Sequence, residues 1–225
     1  MCGRFVIFSN LEHLQKYFPI DKALTEVTPN YNVAPTQEIL AVIQQEGLNI
    51  LEKLHWGLVP HWAKDISTGY KMINAWVETV LSKPSFREAF RKRRCLIPAD
   101  GFYGWKGSKG DKQPFFITLP DEKPFAFAGL WETWWDKDNH DEIYRSCTII
   151  TREASERLKD IHDRMPAVLP PDTYEAWLDH ENHDIKRLQE ILTEKTVTEF
   201  KTMPVSKQVN SVKFNDPSNI APVSK

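Results

Sequence analysis

Short runs in which β-branched and aromatic residues alternate with polar ones recur along the chain, each closed by Pro, Gly, Asn or Asp, which is the pattern of β-strands. Such runs span Arg4–Phe8, Ile39–Gln44, Leu48–Trp56, Cys95–Ile97, Phe115–Leu119, Phe125–Trp131, Tyr144–Thr151 and Phe200–Val205. Helical spacing is rarer. Asn10 can cap a segment with Leu11, Leu14 and Phe18 on one face, and Pro84 can open another carrying Phe86, Ala89 and Phe90. Thr173–Leu178 and Asp184–Leu192 are the later helical segments, the second with Ile185, Leu188 and Ile191 or Leu192 in register. Strands interrupted by isolated helices, without βαβ alternation, predict an α+β fold with a largely antiparallel, barrel-like β core and flanking helices. The glycine-containing segment 107–111 reads as a hairpin loop, because no strand-to-helix context surrounds it to make a phosphate cradle.

With 225 residues, 41% of them hydrophobic, the chain can bury one sizeable core, and a single domain over residues 1–225 is expected. The net charge of −2, from 29 basic and 31 acidic residues, means that a polyanion must be held by a local patch. Three widely spaced cysteines give neither a disulfide framework nor a zinc spacing, so no metal or cofactor is expected and a reducing, cytoplasmic location fits. The apolar run Phe5–Phe8 is too short for a signal-peptide core, and no run reaches membrane-spanning length, so no membrane partner is expected.

The first residues change this picture from architecture to chemistry. Removal of the initiator Met1 would leave Cys2 with amine and thiol on one residue. An α-amine titrates near 7.7–8.0, well below lysine, so a useful fraction is nucleophilic at neutral pH. It can form an imine with an aldehyde, and the adjacent thiol can close a five-membered thiazolidine ring with the advantage of an intramolecular step. Asn74, after an apolar approach, can both donate and accept hydrogen bonds, toward a sugar or within a turn. Glu78 can move protons or bond to nearby backbone. His162 stands at a junction before an apolar run, where an imidazole titrating near neutrality suits general acid/base work. Arg164 beside it can bind phosphate or fasten a loop. Of eight tryptophans, most belong in the core, and Trp62 in its Pro-His-Trp-Ala-Lys loop is the candidate for stacking on a base. Arg87, Arg91, Lys92, Arg93 and Arg94 form either a phosphate track or a solvated helix face, whereas Cys95 and Cys147 sit in apolar runs and are expected to be buried.

Segments that match a family then appear in the family's order over essentially the whole chain: Met1-Cys2-Gly3-Arg4-Phe5, Tyr31-Asn32-Val33-Ala34-Pro35, Trp56-Gly57-Leu58-Val59-Pro60, Ile73-Asn74-Ala75, Pro98-Ala99-Asp100-Gly101-Phe102-Tyr103, Gly129-Leu130-Trp131 and His162-Asp163-Arg164-Met165-Pro166. The chain resembles the SRAP (SOS response-associated peptidase) family, whose members sense abasic sites in single-stranded DNA. The resemblance implies that Cys2, exposed by self-processing, forms a thiazolidine crosslink with the ring-opened abasic sugar and shields the lesion. It implies that Asn74 lies near the sugar, that His162 is the acid/base and that Arg4, Pro35 and Trp62 line the DNA cleft. Trp76 and Arg164 complete the expected DNA contacts, and a monomer is expected, nucleoid-associated when bound to damaged DNA. Two positions depart from the family pattern: Trp76 replaces an arginine that binds phosphate, and Gly104 replaces a glutamate that shuttles protons. Two rival readings follow, a catalytically impaired single-strand binder and a thiol peptidase using Cys2 and His162.

Overall fold

The computed structural model describes residues 2–108, 110–136 and 143–223. In chain order the strands are β1 (Phe5–Ile7), β2 (Lys22–Ala23), β3 (Asn30–Val33), β4 (Glu38–Gln45), β5 (Leu48–Trp56), β6 (Asn74–Trp76) and β7 (Arg94–Ala99). They continue as β8 (Gly101–Lys106), β9 (Gln113–Thr118), β10 (Phe125–Trp135), β11 (Ile143–Glu153), β12 (Arg164–Pro166), β13 (Val168–Leu169) and β14 (Lys201–Pro204). Four α-helices flank them: α1 (Leu11–Tyr17), α2 (Arg87–Lys92), α3 (Tyr174–Leu178) and α4 (Ile185–Thr193).

Five strands close on themselves. β11 pairs with β10, β10 with β7, β7 with β4 and β4 with β5, all antiparallel, and β5 returns to β11 through a parallel pairing of His55 and Trp56 with Ser146 and Cys147. A small barrel of this kind is filled by its own side chains, and Leu51, Cys95, Ile97, Ala128, Leu130, Cys147 and Ile149 are all fully buried. A second, five-stranded sheet runs β14-β9-β8-β1-β3. Phe5 of β1 joins the two layers, packing edge-on against Trp56 and Phe127 of the barrel. The fold is thus α+β, mostly sheet and largely antiparallel, as the alternation predicts.

Each run of alternating residues contains a strand. The alternation is weakest where strands are very short, and β2, β3, β6, β12 and β13 carry no such signal. β8 also escapes the pattern, since its Gly-Phe-Tyr-Gly-Trp sequence is buried over its first four residues. It pairs antiparallel with β9, which makes the predicted hairpin, although residue 109 of its loop lies outside the described residues. Asn10 caps α1 by accepting from the His13 amide. Pro84 does not open α2: that helix begins at Arg87, and Pro84 sits in the preceding turn. Asp184 is the cap of α4, accepting from the Arg187 amide.

The basic run of residues 87–94 separates into different fates. Arg87 and Arg91 are exposed on α2, Lys92 pairs with Glu88 and Arg93 pairs with buried Glu132. Arg94 is no phosphate contact, for it is 2% exposed at the start of β7. Its five donors meet five backbone carbonyls, those of Phe90, Arg91, Trp177, Asp179 and Asn182. Those carbonyls include the unpaired C-terminal ends of α2 and α3, so one guanidinium caps both helices. Burial lowers its pKa to about 10, still far above neutrality. Arg94→Met leaves these carbonyls without partners inside the core and is expected to cost about 3 kcal/mol. Urea unfolding followed by tryptophan fluorescence measures this, and an unchanged midpoint would contradict the capping role.

Candidate functional site

The amino-terminal strand is held at both ends. At its far end the buried Asp100 carboxylate accepts from the Phe8 amide at 2.6 Å, from the Ser9 amide at 2.8 Å and from the Ser9 hydroxyl. At its near end Arg4 donates through Nη1 to Asn32 Oδ1 at 2.6 Å and to the Val209 carbonyl at 2.8 Å, and through Nη2 to the Asn210 carbonyl at 3.4 Å. These bonds fasten β1 to β3 and to the C-terminal segment. The guanidinium expected at the DNA cleft is therefore occupied largely by protein carbonyls, and partial burial lowers its pKa.

The Tyr103 amide donates to the Arg4 carbonyl, extending the β1–β8 pairing toward the terminus. Cys2, 3% exposed, consequently lies against the end of β8 and lines a narrow pocket with Gly104, Ile161, His162 and Arg164. Together with its open mouth this pocket encloses about 330 Å³. Burial pushes the Cys2 thiol up to about 12, far from the depressed values of thiolate nucleophiles.

β11 brings the remaining groups together. β6 runs parallel to it over Ile149–Thr151, and β12 pairs antiparallel over Thr151–Glu153. Asn74 and His162 thus arrive from elements that flank one strand end. Asn74 Nδ2 donates to the Cys2 carbonyl at 2.8 Å, while its Oδ1 is buried without a partner among the described residues. A buried acceptor left open in this way costs free energy, so it marks a place for a donor group or an ordered water.

His162 Nδ1 faces two groups that ask for opposite tautomers. The Arg164 amide at 3.0 Å needs a lone pair there, and the Asp163 carboxylate at 2.6 Å needs a proton. Burial lowers the histidine pKa, with Asp163 opposing, and Asp163 itself is largely in water, where its pull is screened. The lowered pKa favours the neutral ring at neutral pH.

Glu78 and Arg164 meet across β11. Arg164 Nη1 and Nη2 donate to the two Glu78 oxygens at 2.7 and 3.0 Å, and Nη2 also donates to the Thr151 carbonyl at 2.7 Å. The Arg164 bond is the largest influence holding the Glu78 carboxyl below its usual range, so Glu78 is an ionised partner of arginine, bonded neither to nearby backbone alone nor poised to carry protons. The Trp76 indole, 45% exposed, lies 4.9 Å from the Arg164 guanidinium and 5.9 Å from Lys83 Nζ. The Glu78–Arg164 pair was invisible along the sequence because its members stand 86 positions apart.

Pro35 and Trp62 do not line this pocket. Pro35 is half-buried in the turn between β3 and β4, beside the Trp56 carbonyl that Thr36 binds. Trp62 is 50% exposed on the loop after β5. That loop folds back because Gly57, at φ +139°, lies against the Gly69 carbonyl, where an added Cβ would stand at 2.6 Å. Gly104 is equally confined: a Cβ there would lie 2.6 Å from Ile161 Cγ2 and 3.1 Å from Ile117 Cδ1. Ile161 was not singled out in the sequence, and it fills the space that a side chain at position 104 would enter. Among the described residues, no cluster of ligating side chains could hold a metal ion, and no helix is long and apolar enough to cross a membrane.

The geometry has counterparts. A crystal structure of a protein from Bacteroides thetaiotaomicron superposes with a TM-score of 0.84 at 24% identity, covering 99% of this chain and all of that one, and so shares the fold. A phage-related protein from Bordetella bronchiseptica gives a TM-score of 0.71 at 30% identity over 92% of this chain and 95% of its own. Among sequences, abasic site processing protein YoqW of Bacillus subtilis is 45% identical over 98% of this chain and 99% of its own length. Abasic site processing protein YedK of Escherichia coli is 31% identical over 99% and 100%. The family model described as SOS response associated peptidase (SRAP) matches residues 1–212, and the chain belongs to that family.

Proposed function

We propose that this protein processes abasic sites in single-stranded DNA, acting as a cytoplasmic monomer that traps the lesion aldehyde through Cys2 once Met1 is removed. The observation that carries the reading is that Cys2 and His162 line one pocket while Asn74 bonds to the Cys2 carbonyl and keeps a buried, unpartnered Oδ1 beside it. The names of relatives up to 45% identical support it.

The chemistry of an amino-terminal cysteine sets the order of events. The α-amine attacks the sugar aldehyde first, losing water to give an imine. The thiol then adds across the C=N bond, its sulfur to carbon and its proton to nitrogen, so no free thiolate is needed. His162, held neutral by burial, can take up a proton at the carbinolamine and return it as the imidazolium. Trp76 and Trp62 offer stacking faces, and the basic side chains near them the phosphate attraction that single-strand binding requires. In the chain that retains Met1, burial pushes the thiol up to about 12, so a peptidase acting through a Cys2 thiolate is disfavoured there.

Intact-mass analysis with an abasic oligonucleotide is expected to give a denaturation-resistant adduct in the processed protein, none with Cys2→Ala and at most a reducible imine with Cys2→Ser. Non-covalent binding alone would favour the impaired binder. In the chain that retains Met1, raising the thiol pKa from 9.0 to about 12 removes thiolate roughly 10³-fold at any pH below both values. Iodoacetamide at pH 8 should therefore alkylate Cys2 at least ~10²-fold more slowly in the folded chain than in urea, as read by peptide mapping; equal rates would refute the burial. Restoring a carboxylate requires room. Gly104→Glu alone is expected to destabilise by about 1–3 kcal/mol through its clash with Ile161. Gly104→Glu with Ile161→Ala should fold normally and crosslink up to about 10²-fold faster, with His162→Ala less harmful in that background. A double variant that folds yet shows no rate change would remove position 104 from proton transfer.

A further inference from the structure

The pocket that holds Cys2 is asymmetric. One wall consists of Phe102, Gly104, Ile117, Leu158, Ile161 and Pro166, none of which carries a polar side-chain atom. Of the polar side chains on the remaining lining, Tyr103 donates its hydroxyl to the Tyr31 carbonyl at 2.8 Å and Trp105 its indole N–H to Asn210 Oδ1 at 2.7 Å, while His162 Nδ1 faces the Arg164 amide and Asp163. Arg164 uses both terminal nitrogens on Glu78 and Thr151. A hydroxyl carried in against the apolar wall loses its water and gains no partner, whereas a hydrocarbon group there only gains contact.

We propose that this wall gives Cys2 a second, DNA-independent activity, the capture of small free aldehydes with an unhydroxylated carbon chain. The inference rests on Cys2 being the amino-terminal residue, the premise it shares with the abasic-site reading. The amine nitrogen bonds to the aldehyde carbon, and one water leaves as the imine forms. The thiol S–H then adds across that C=N bond, giving a thiazolidine with no change of oxidation state and no further reactant. The narrow pocket suits a substrate with a few carbon atoms, and the hydrocarbon substituent lies against Ile161 and Leu158 while the aldehyde carbon meets Cys2.

Any amino-terminal cysteine condenses with aldehydes, so the test is one of selectivity. The processed protein and the free peptide Cys-Gly-Arg-Phe are each incubated with 2-methylpropanal or with 2-hydroxypropanal, which differ only by exchange of a methyl for a hydroxyl. Adduct formation is followed by intact mass. The protein-to-peptide rate ratio is expected to be about 10- to 100-fold higher for 2-methylpropanal, the range in which an apolar pocket rejects a hydroxylated isostere. Ile161→Thr should shrink the preference to roughly threefold or less by offering a hydrogen-bond partner, and Leu158→Thr tests the same wall should the first variant fold poorly. Equal ratios for the two aldehydes, with abasic oligonucleotide still crosslinked, would overturn this inference and leave the abasic-site reading standing. Selective capture of 2-methylpropanal without oligonucleotide crosslinking would do the reverse. Failure of both reactions in protein lacking Met1 would overturn both.

Discussion

A chain terminus frays unless its backbone is bonded on both sides and its side chains are buried, and the chemistry of this protein depends on preventing that at its first residues. β1 is an interior strand of the second sheet, between β3 and β8. Phe5 inserts between Trp56 and Phe127, Asp100 holds the strand's exit and Arg4 its entry. Cys2 is therefore held at the end of a sheet, with the precision that rigid elements confer. Asn74 and His162 need only reach a fixed point.

Charge around that point is local and mostly neutralised. Arg4 bonds to carbonyls, Arg164 to Glu78 and Arg94 to the ends of two helices. With a net charge of −2 and these guanidiniums committed, long-range attraction of a polyanion is weak, and stacking on exposed indoles takes a larger share of any DNA affinity. Trp76 embodies the exchange, since its ring lies over the arginine instead of adding another cation.

Much of this was legible along the chain. Barrel strands announce themselves because alternation and β-branching reflect a buried face, and the aminothiol of Cys2 is visible in the first three residues. The fates of the tryptophans followed only in part: Trp56, Trp131, Trp134 and Trp177 are buried and Trp62 is half exposed on its loop, but Trp76 and Trp135 are exposed as well. What could not be read depends on distance in space. Arg94 looks like its basic neighbours until β7 begins there and carries it into the core. The confinement of Gly104 depends on Ile161, far along the chain, and the committed state of Glu78 depends on Arg164. Strands of two or three residues leave no periodicity, so β6 and β12, which deliver Asn74 and the turn holding His162, emerge only with β11 in place.

The bond from Arg4 to the Val209 carbonyl joins residues 205 positions apart. On a ribosome adding about 5–20 residues per second, the amino terminus emerges roughly 10–40 s before its anchor has been made. The anchor of Arg4 is thus among the last contacts formed although Arg4 is among the first residues synthesised. During that interval the first strand lacks this fastening to the C-terminal segment. Timing along the polypeptide, as much as geometry, separates the stage at which the first strand is loose from the stage at which it is fastened.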